Sequence, residues 1–396
     1  MEQTLFMQLL SWQICGAEAP KNKADHISPE TLEALLTTSR RHDLAHIVSQ
    51  ALESLGWLKE DPTSQTFRQL PMQALRRYVQ LNFAYEQISK VFQDGQIPYI
   101  PLKGTVLRNY YPAPWMRTSC DIDVLVHPED MTRAMGLLQE KLGYETRDGM
   151  KTDHDVSLFS PEGVHLELHF DALPQRYAKK ETWELMQKVW DMAEPEQPGS
   201  FRYCMPDALF YFYQISHMAL HFETGGCGVR SFLDIWILNH RVEHDMQKRL
   251  QMLRQGGLEA FGNAAMQLSE YWFSGVAPEE EVLSMGNYIL RAGVYGDKDN
   301  RAAFGQAKMG GKIKYLIMRR VFMPYDYLKA EYPILKKHKW LLPVYQVVRW
   351  LRMLTRGNLG RTVRELQANS EVSQSGSQDM KKMLDYLQLA SEGETK

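Results

Sequence analysis

The sequence predicts an α+β protein, a small mixed sheet flanked by N- and C-terminal helical regions. Three observations predict it. Apolar residues recur at helical spacing up to about residue 95 and again from Pro206. Between these regions lie short β-like runs: IPYIPLKG (97–104), CDIDVLV (120–126), DVSLFS (155–160) and VHLELHF (164–170). The changes of pattern fall at chain punctuation, Asp94-Gly95 on one side and Pro206 on the other. The organisation that follows is a helical region at 1–95, an α/β core at 96–200, a second helical region at 201–365, and a polar linker with a short terminal helix at 366–396. The length allows about two or three domains, and no internal repeat is visible.

Each element has its own signal. SPETLEALL (28–36) begins a helix, with Ser28 as N-cap, Pro29 at the first helical position and Glu30 in the first turn. A long amphipathic helix is predicted from Pro71 to Phe92, with Leu75, Tyr78, Leu81 and Ile88 among its spaced apolar residues. IPYIPLKG ends its strand in glycine, TVLRNYY (105–111) makes a short helix, and YPAPWMRTS (111–119) is a loop with two prolines. CDIDVLV is a strand. PEDMTRAMGLLQEKLGY (128–144) is a helix from Pro128 to a stop at Gly143. DVSLFS, the turn PEG and VHLELHF form a hairpin. DALFYFYQISHMALHF (207–222) and RSFLDIWILNHRVEH (230–244) are helices separated by the glycine-rich TGGCGV (224–229).

Composition narrows the classes of function. With 44% hydrophobic and 24% charged residues the chain can bury a sizeable core. A formal net charge of −2 gives no global attraction to nucleic acid or membrane. Four well-separated cysteines with no C-x-x-C pair argue against a zinc site or a disulfide framework and fit a reducing compartment. The N-terminal stretch reads as a folded helix, not a signal peptide, and no apolar run reaches the roughly 18–20 residues of a membrane span. A cytoplasmic location is expected.

The chemistry starts at Asp121 and Asp123. Residues i and i+2 of a strand share a face, so both carboxylates project the same way. Two adjacent carboxylates repel, and a hard divalent cation relieves that repulsion while sharing its shell with phosphates. A lone D-x-D is also what a solvated strand face carries. Its surroundings add weight. LKGT (102–105) joins a strand to a helix through Gly104, which lets backbone approach an anion. VHLELHF carries His165, Glu167 and His169 on one face and apolar residues on the other.

This order of motifs, LKGTVLRNYYPAPWMRTSCDIDVLV followed by LGY and LELHF, resembles the polymerase-beta-type nucleotidyltransferase superfamily. More narrowly it resembles an uncharacterised bacterial nucleotidyltransferase family with a K-G turn, an arginine before D-I-D and a late acid-Leu-His strand. The likeness is in motifs over about 97–175, and weaker through the helices to about 356. Two positions depart from the superfamily: Thr105 follows the glycine where serine or glycine is usual, and the third acid is Glu167 where aspartate is commoner. The resemblance implies a metal-dependent enzyme that moves a nucleoside monophosphate from an NTP such as ATP to a hydroxyl acceptor, a small molecule or a protein, releasing pyrophosphate. It implies Mg²⁺ or Mn²⁺ on Asp121, Asp123 and Glu167, with Glu167 also assisting deprotonation. It implies nucleotide contacts from Lys103, Gly104, Thr105 and Arg117, although Arg117 also reads as a loop-surface residue.

Weaker candidates surround this set. His169 reads as a neighbour of the site or a substrate contact, or as part of a hairpin face. His217 and His221 stand at i, i+4 without the glutamate of a zinc-protease helix, so pocket or core histidines fit better than metal ligands. Arg230 and Asp234 fit a helical wall near the site, or a buried ion pair. Residues 311–356 carry eleven Lys/Arg against two Asp/Glu. Within them KKHKWLLPVYQVVRWLRMLTR (336–356) fits a packed helix with a solvated basic face, and less well an anionic partner or membrane surface. The alternatives to transfer are a non-catalytic nucleotide- or partner-binding scaffold and a D-x-D glycosyltransferase. Glycosyltransferases usually place several β/α units before the motif.

Overall fold

The computed structural model describes residues 2–20, 27–175, 178–223, 226–294, 298–309, 311, 322–323, 325, 328–329, 332–355 and 374–389. The chain divides into two compact units, one of Met1–Met218 with Gly228–Leu283 and one of Ala219–Cys227 with Ser284–Lys396.

The first unit opens with helices α1 (Glu2–Leu10), α2 (Pro29–Arg41), α3 (Ala45–Ser54) and α4 (Pro62–Asp94). Ser28 caps α2 by accepting from Thr31 N at 3.2 Å, as its position before Pro29 predicts. Helix α4 corrects the expected start at Pro71. It begins nine residues earlier at Pro62, capped by Asp61, and Pro71 lies inside it. A proline there leaves the carbonyl of Phe67 without its helical donor. Ser49 Oγ of α3 supplies that donor, at 2.6 Å to Phe67 O. The substitute bond explains why the helix runs on through the proline.

The sheet has five strands: β1 (Tyr99–Pro101), β2 (Ile122–Val126), β3 (Glu145–Lys151), β4 (Asp155–Phe159) and β5 (His165–His169). Their spatial order is β1-β2-β5-β4-β3, with β2 and β5 parallel and the remaining pairs antiparallel. The mixed sheet flanked by helices is the fold the sequence predicts. Strand β3, ETRDGMK, was not expected, because it carries no apolar alternation. Helix α5 (Lys103–Leu107) follows β1, and α6 (Met131–Leu142) follows β2 and ends at Gly143 in the left-handed conformation.

Alternation gives the central strands two different faces. Ile122, Val124, Val126, Leu166 and Leu168 pack on Leu81, Tyr85, Ile88 and Phe92 of α4 and on Ala134 and Leu138 of α6. This core fixes the register of β2 and β5, since a one-residue slip would bury the charged face. The opposite face carries the acids and histidines.

After the sheet come α7 (Lys180–Met186), α8 (Val189–Met192), α9 (Asp207–Glu223), α10 (Val229–Arg241), α11 (Met246–Gln255) and α12 (Glu259–Ser274). Gly256, which ends α11, sits so close to Phe212 of α9 that a Cβ there would meet the ring at 2.2 Å.

Helix α13 (Glu280–Ala292) leads into the second unit, where α14 (Lys298–Met309), α15 (Leu342–Thr355) and α16 (Gln374–Tyr386) are described. Pro343 is accommodated in the first turn of α15. Tyr332 and Leu335 are buried there against Leu342, Tyr345 and Val348. The outward side does not match the expected basic face alone. Trp340, 75% exposed, joins exposed Val344, Val347 and Leu351. Residue 356, the last of the basic stretch, and most of the expected polar linker lie outside the described residues. Among the described residues no helix is long and apolar enough to cross a membrane.

Candidate functional site

The site is built on the polar face of β2 and β5. Their parallel register sets Asp123 beside Glu167 and Leu125 beside His169. Asp121 lies just before β2, on the face of Asp123. The hairpin register sets Ser157 opposite Glu167 and Asp155 opposite His169. A continuous row of acids and imidazoles therefore crosses three strands.

Strand β1 delivers the K-G turn to this row. Leu102 N donates to Asp123 O at 3.0 Å, extending the β1–β2 ladder by one residue. Lys103 follows with φ of +45°, a left-handed conformation unusual for a side-chain-bearing residue. Its ammonium reaches Asp123 Oδ1 at 2.7 Å and stands 3.9 Å from Glu167 Oε2. Lys103 thereby stands among the carboxylates of the row. Gly104 is buried, and a Cβ on it would touch Ser119 Cβ at 3.3 Å, so glycine keeps the turn close to the loop before D-x-D. Thr105 is buried too, and its amide already donates to Leu102 O at 3.3 Å.

Charge is unevenly shared along the row. Burial pushes Asp121 up to about 7, and the negative charge of Asp123 adds to the push. Asp123 lies far below the usual carboxylate range: burial opposes this, but the Lys103 charge and the His169 hydrogen bond outweigh it. Glu167 is lowered as well, its burial offset first by the hydrogen bond with His169. Lys103 is raised against its burial by the charge of Asp123. His169 Nε2 lies 3.1 Å from Asp123 Oδ1 and 3.6 Å from Glu167 Oε2, and these carboxylates raise its pKa although burial alone would lower it.

Among the described residues three overlapping groups bring metal-ligating atoms within 4.8 Å of one another: Asp121, His165 and Glu167; Asp123, Glu167 and His169; and His154, Asp155 and His169. Glu167 belongs to both groups that contain a D-x-D aspartate. The oxygen-rich donor set on β2 and β5 suits a divalent metal.

The loop that feeds Asp121 is clamped from two sides. Arg117 is not on the loop surface but buried, with Nη1 3.6 Å from where a Cβ on Gly104 would lie. Its Nε donates to Asp234 of α10 at 2.7 and 3.0 Å, and Tyr111 Oη donates to the same carboxylate at 2.7 Å. Asp234 is therefore the buried partner of Arg117. Arg230 pairs with Asp43 and donates to Thr118 O at 3.2 Å, while Thr118 Oγ1 donates to Asp43 at 2.8 Å. His46 Nε2 meets Met116 O at 2.8 Å. The charge of Arg230 also acts on Asp121. His217 lies near Tyr213, with ring centroids 6.3 Å apart, and His221 falls in the second unit. Neither belongs to a metal-ligating group among the described residues.

The match with known proteins agrees with this geometry. A family model described as "Uncharacterised nucleotidyltransferase" matches residues 28–274, more than half of the chain. The chain belongs to this family. Among curated proteins none matches. The matched span includes the helices α2 to α4, the whole sheet and the clamp on α10. The chain is thus an enzyme of the nucleotidyltransferase class with an acidic cluster able to hold a divalent metal.

Several residues around the carboxylate row carry no signal of their own in the sequence. Arg108, buried, donates to Gly104 O at 2.9 Å and to Ser119 Oγ at 3.1 Å, tying the K-G turn to the loop. Tyr213 is buried close enough for the Lys103 charge to act on it. His154 and Asp155 join the row through the hairpin register. A three-residue turn between DVSLFS and VHLELHF already sets Asp155 opposite His169, so that signal was present in the sequence.

Proposed function

We propose that the protein transfers a nucleoside monophosphate from an NTP to a hydroxyl-bearing acceptor, a small molecule or a protein side chain, with release of pyrophosphate. The observation that carries this reading is the parallel β2–β5 register, which sets Glu167 beside the D-x-D strand. Asp121, Asp123 and Glu167 would hold Mg²⁺ or Mn²⁺, their oxygens matching such ions. When bound, the metal supplies positive charge to the α-phosphate and to the leaving pyrophosphate.

The chain's own groups do the rest. Glu167, the more accessible of the two paired acids, takes the proton of the acceptor hydroxyl. The acceptor oxygen bonds to the α-phosphorus, the bond from that phosphorus to the bridging oxygen breaks, and pyrophosphate departs with the electron pair. Lys103 keeps Asp123 and Glu167 ionised and in place before substrate arrives, and its ammonium is assigned to the triphosphate. Gly104 keeps the turn tight enough for backbone to approach the phosphates, and the Thr105 hydroxyl is assigned to the same subsite. Arg117 acts as a positioning residue, holding the loop before Asp121 through Asp234.

The test is incubation with each labelled NTP and Mg²⁺ or Mn²⁺, alone and with cell extract, scoring label on protein, RNA and small molecules. Asp123→Asn should lower transfer by about a hundredfold or more, the scale of a lost electrostatic contact to the reacting phosphate. A variant that transfers at the wild-type rate would refute the assignment. Label arising only from a nucleotide sugar would move the activity to glycosyl transfer.

In the second unit, exposed Trp340, Val344, Val347 and Leu351 beside exposed Lys337 and Lys339 favour contact with an anionic surface. Co-sedimentation with phosphatidylserine vesicles, lost in Trp340→Ser, tests it; equal sedimentation with neutral vesicles would remove the charge component.

A further inference from the structure

The third ligating group lies at the far end of the row and plays no part in the transfer described above. We propose that His154, Asp155 and His169 form a second, separate site for a first-row transition-metal ion of the Zn²⁺ type. One ligating atom of each residue lies within 4.8 Å of the others. A tetrahedral zinc shell sets its donors about 3.3 Å apart, so a bound ion would draw these atoms closer together.

An independent observation points to a missing cation. Asp155 Oδ1 and His169 Nδ1 are both buried, in residues only 5% and 1% exposed, and neither has a hydrogen-bond partner among the described residues. Buried polar atoms are nearly always satisfied, and an orphaned carboxylate oxygen is costly. The two orphans belong to opposed residues of one strand pair. His169 Nε2 is held by Asp123, so Nδ1 is the nitrogen left for this group. A metal at Nδ1 would displace any proton there and leave Nε2–H to Asp123. Among the described residues no donor satisfies either atom, so the pair forms a place for a cation.

His154 completes the set. Its backbone is fixed, since Phe170 N and Asp171 N both donate to its carbonyl, at 2.9 and 3.2 Å. Its Nδ1 meets Thr152 Oγ1 at 2.9 Å and Asp153 Oδ1 at 3.2 Å, and its Nε2 lies 3.2 Å from Asp155 Oδ2. Donation of Nδ1–H to Asp153 leaves the Nε2 lone pair turned to the cluster. The ring is one-fifth exposed, which gives an ion a way in.

The ligand chemistry selects the metal class. Two imidazoles and one carboxylate suit zinc and its neighbours, whereas magnesium takes oxygen donors. The arrangement at His169 is a carboxylate–histidine–metal relay, in which the ring binds the metal through one nitrogen and donates the other N–H to a carboxylate. Here that carboxylate is Asp123. A metal at Nδ1 would fix the ring's tautomer and orientation, and so the side of Asp123 that it contacts.

The experiment reads metal retention, not transfer, so its failure is distinguishable from failure of the nucleotidyl-transfer reading. The full chain is stripped with chelator, then titrated with Co²⁺ and Zn²⁺ in excess Mg²⁺. Bound metal is counted by mass spectrometry and the Co²⁺ form is read by visible absorption. Wild type should retain one equivalent with absorption of a nitrogen-ligated, low-coordinate ion. His154→Ala and Asp155→Asn should each weaken binding by at least about tenfold, while Asp121→Asn retains it. Should His154→Ala unfold, His154→Gln reads the same loss. Absence of a retained equivalent, retention unchanged in both the His154 and Asp155 variants, or loss in Asp121→Asn alone would each overturn the proposal.

Discussion

Removing the Asp234 carboxylate tests the clamp on the loop before Asp121. Asp234 and Arg117 are 4% and 8% exposed, and the ion pair is reinforced by the Tyr111 hydroxyl at 2.7 Å. Asp234→Ala leaves a buried guanidinium that cannot shed its proton. Breaking one side of a buried pair costs about 3–5 kcal/mol. The stranded Tyr111 hydroxyl adds to this, but the losses overlap, and about 4 kcal/mol is expected. That is a large share of the roughly 5–15 kcal/mol that holds a typical domain folded. Arg117→Leu combined with Asp234→Leu should be far milder than the sum of the single changes, because no unpaired charge remains. The assay is a double-mutant cycle by urea unfolding followed by tryptophan fluorescence, with a second probe to separate the transitions of the two units. Additivity within about 0.5 kcal/mol would show that the two residues act independently and refute the clamp.

Other consequences are equally direct. Asp121, raised to about 7, keeps its proton in the folded protein where the unfolded chain has lost it, so the metal-free protein loses stability as pH rises from about 4 to 7. Asp121→Asn should therefore raise the melting temperature in chelator, by an amount that grows over that range and flattens above it; a pH-independent gain would contradict the shift. The proton must also leave for metal to bind, so Mg²⁺ affinity by calorimetry should fall by up to about tenfold per unit below pH 7. Gly256→Ala forces a methyl against Phe212 and should cost about 1–3 kcal/mol, seen as a lower denaturation midpoint. Ser49→Ala strands Phe67 O beside Pro71 and should cost about 1–3 kcal/mol. Pro71→Ala should restore most of that loss, and a cycle without such rescue would separate the two features.

What could be read from the chain beforehand follows physical range. CDIDVLV and VHLELHF were legible because alternation with period two separates a core face from a polar face within one short run. The α2 start was legible because its cap is local. Strand β3 was not, since ETRDGMK is held by ladder bonds to β4 and carries no pattern of its own. The start of α4 was missed because a distant serine compensates for Pro71. Arg117 and Asp234 are 117 positions apart, and only the packing of α10 brings them together. The orientation of Lys103 depends on a left-handed backbone angle that no residue type at that position announces.

The polar face bears many titratable groups at little risk to the fold. Its partner face is sealed by α4 and α6, so the register of β2 and β5 is set by apolar contacts alone. The acids and histidines then need only be compatible with one another. Lys103 provides much of that compatibility, standing between Asp123 and Glu167 as a cation built into the chain. Its removal should therefore act opposite ways on two measurable quantities. Lys103→Met leaves the carboxylates unbalanced, lowering metal-free stability, and it removes a competitor, tightening Mg²⁺. A variant that loses stability and also binds Mg²⁺ more weakly would mean that the ammonium organises the carboxylates for metal. In that case Lys103 would be a support of the metal site and not a stand-in for its charge.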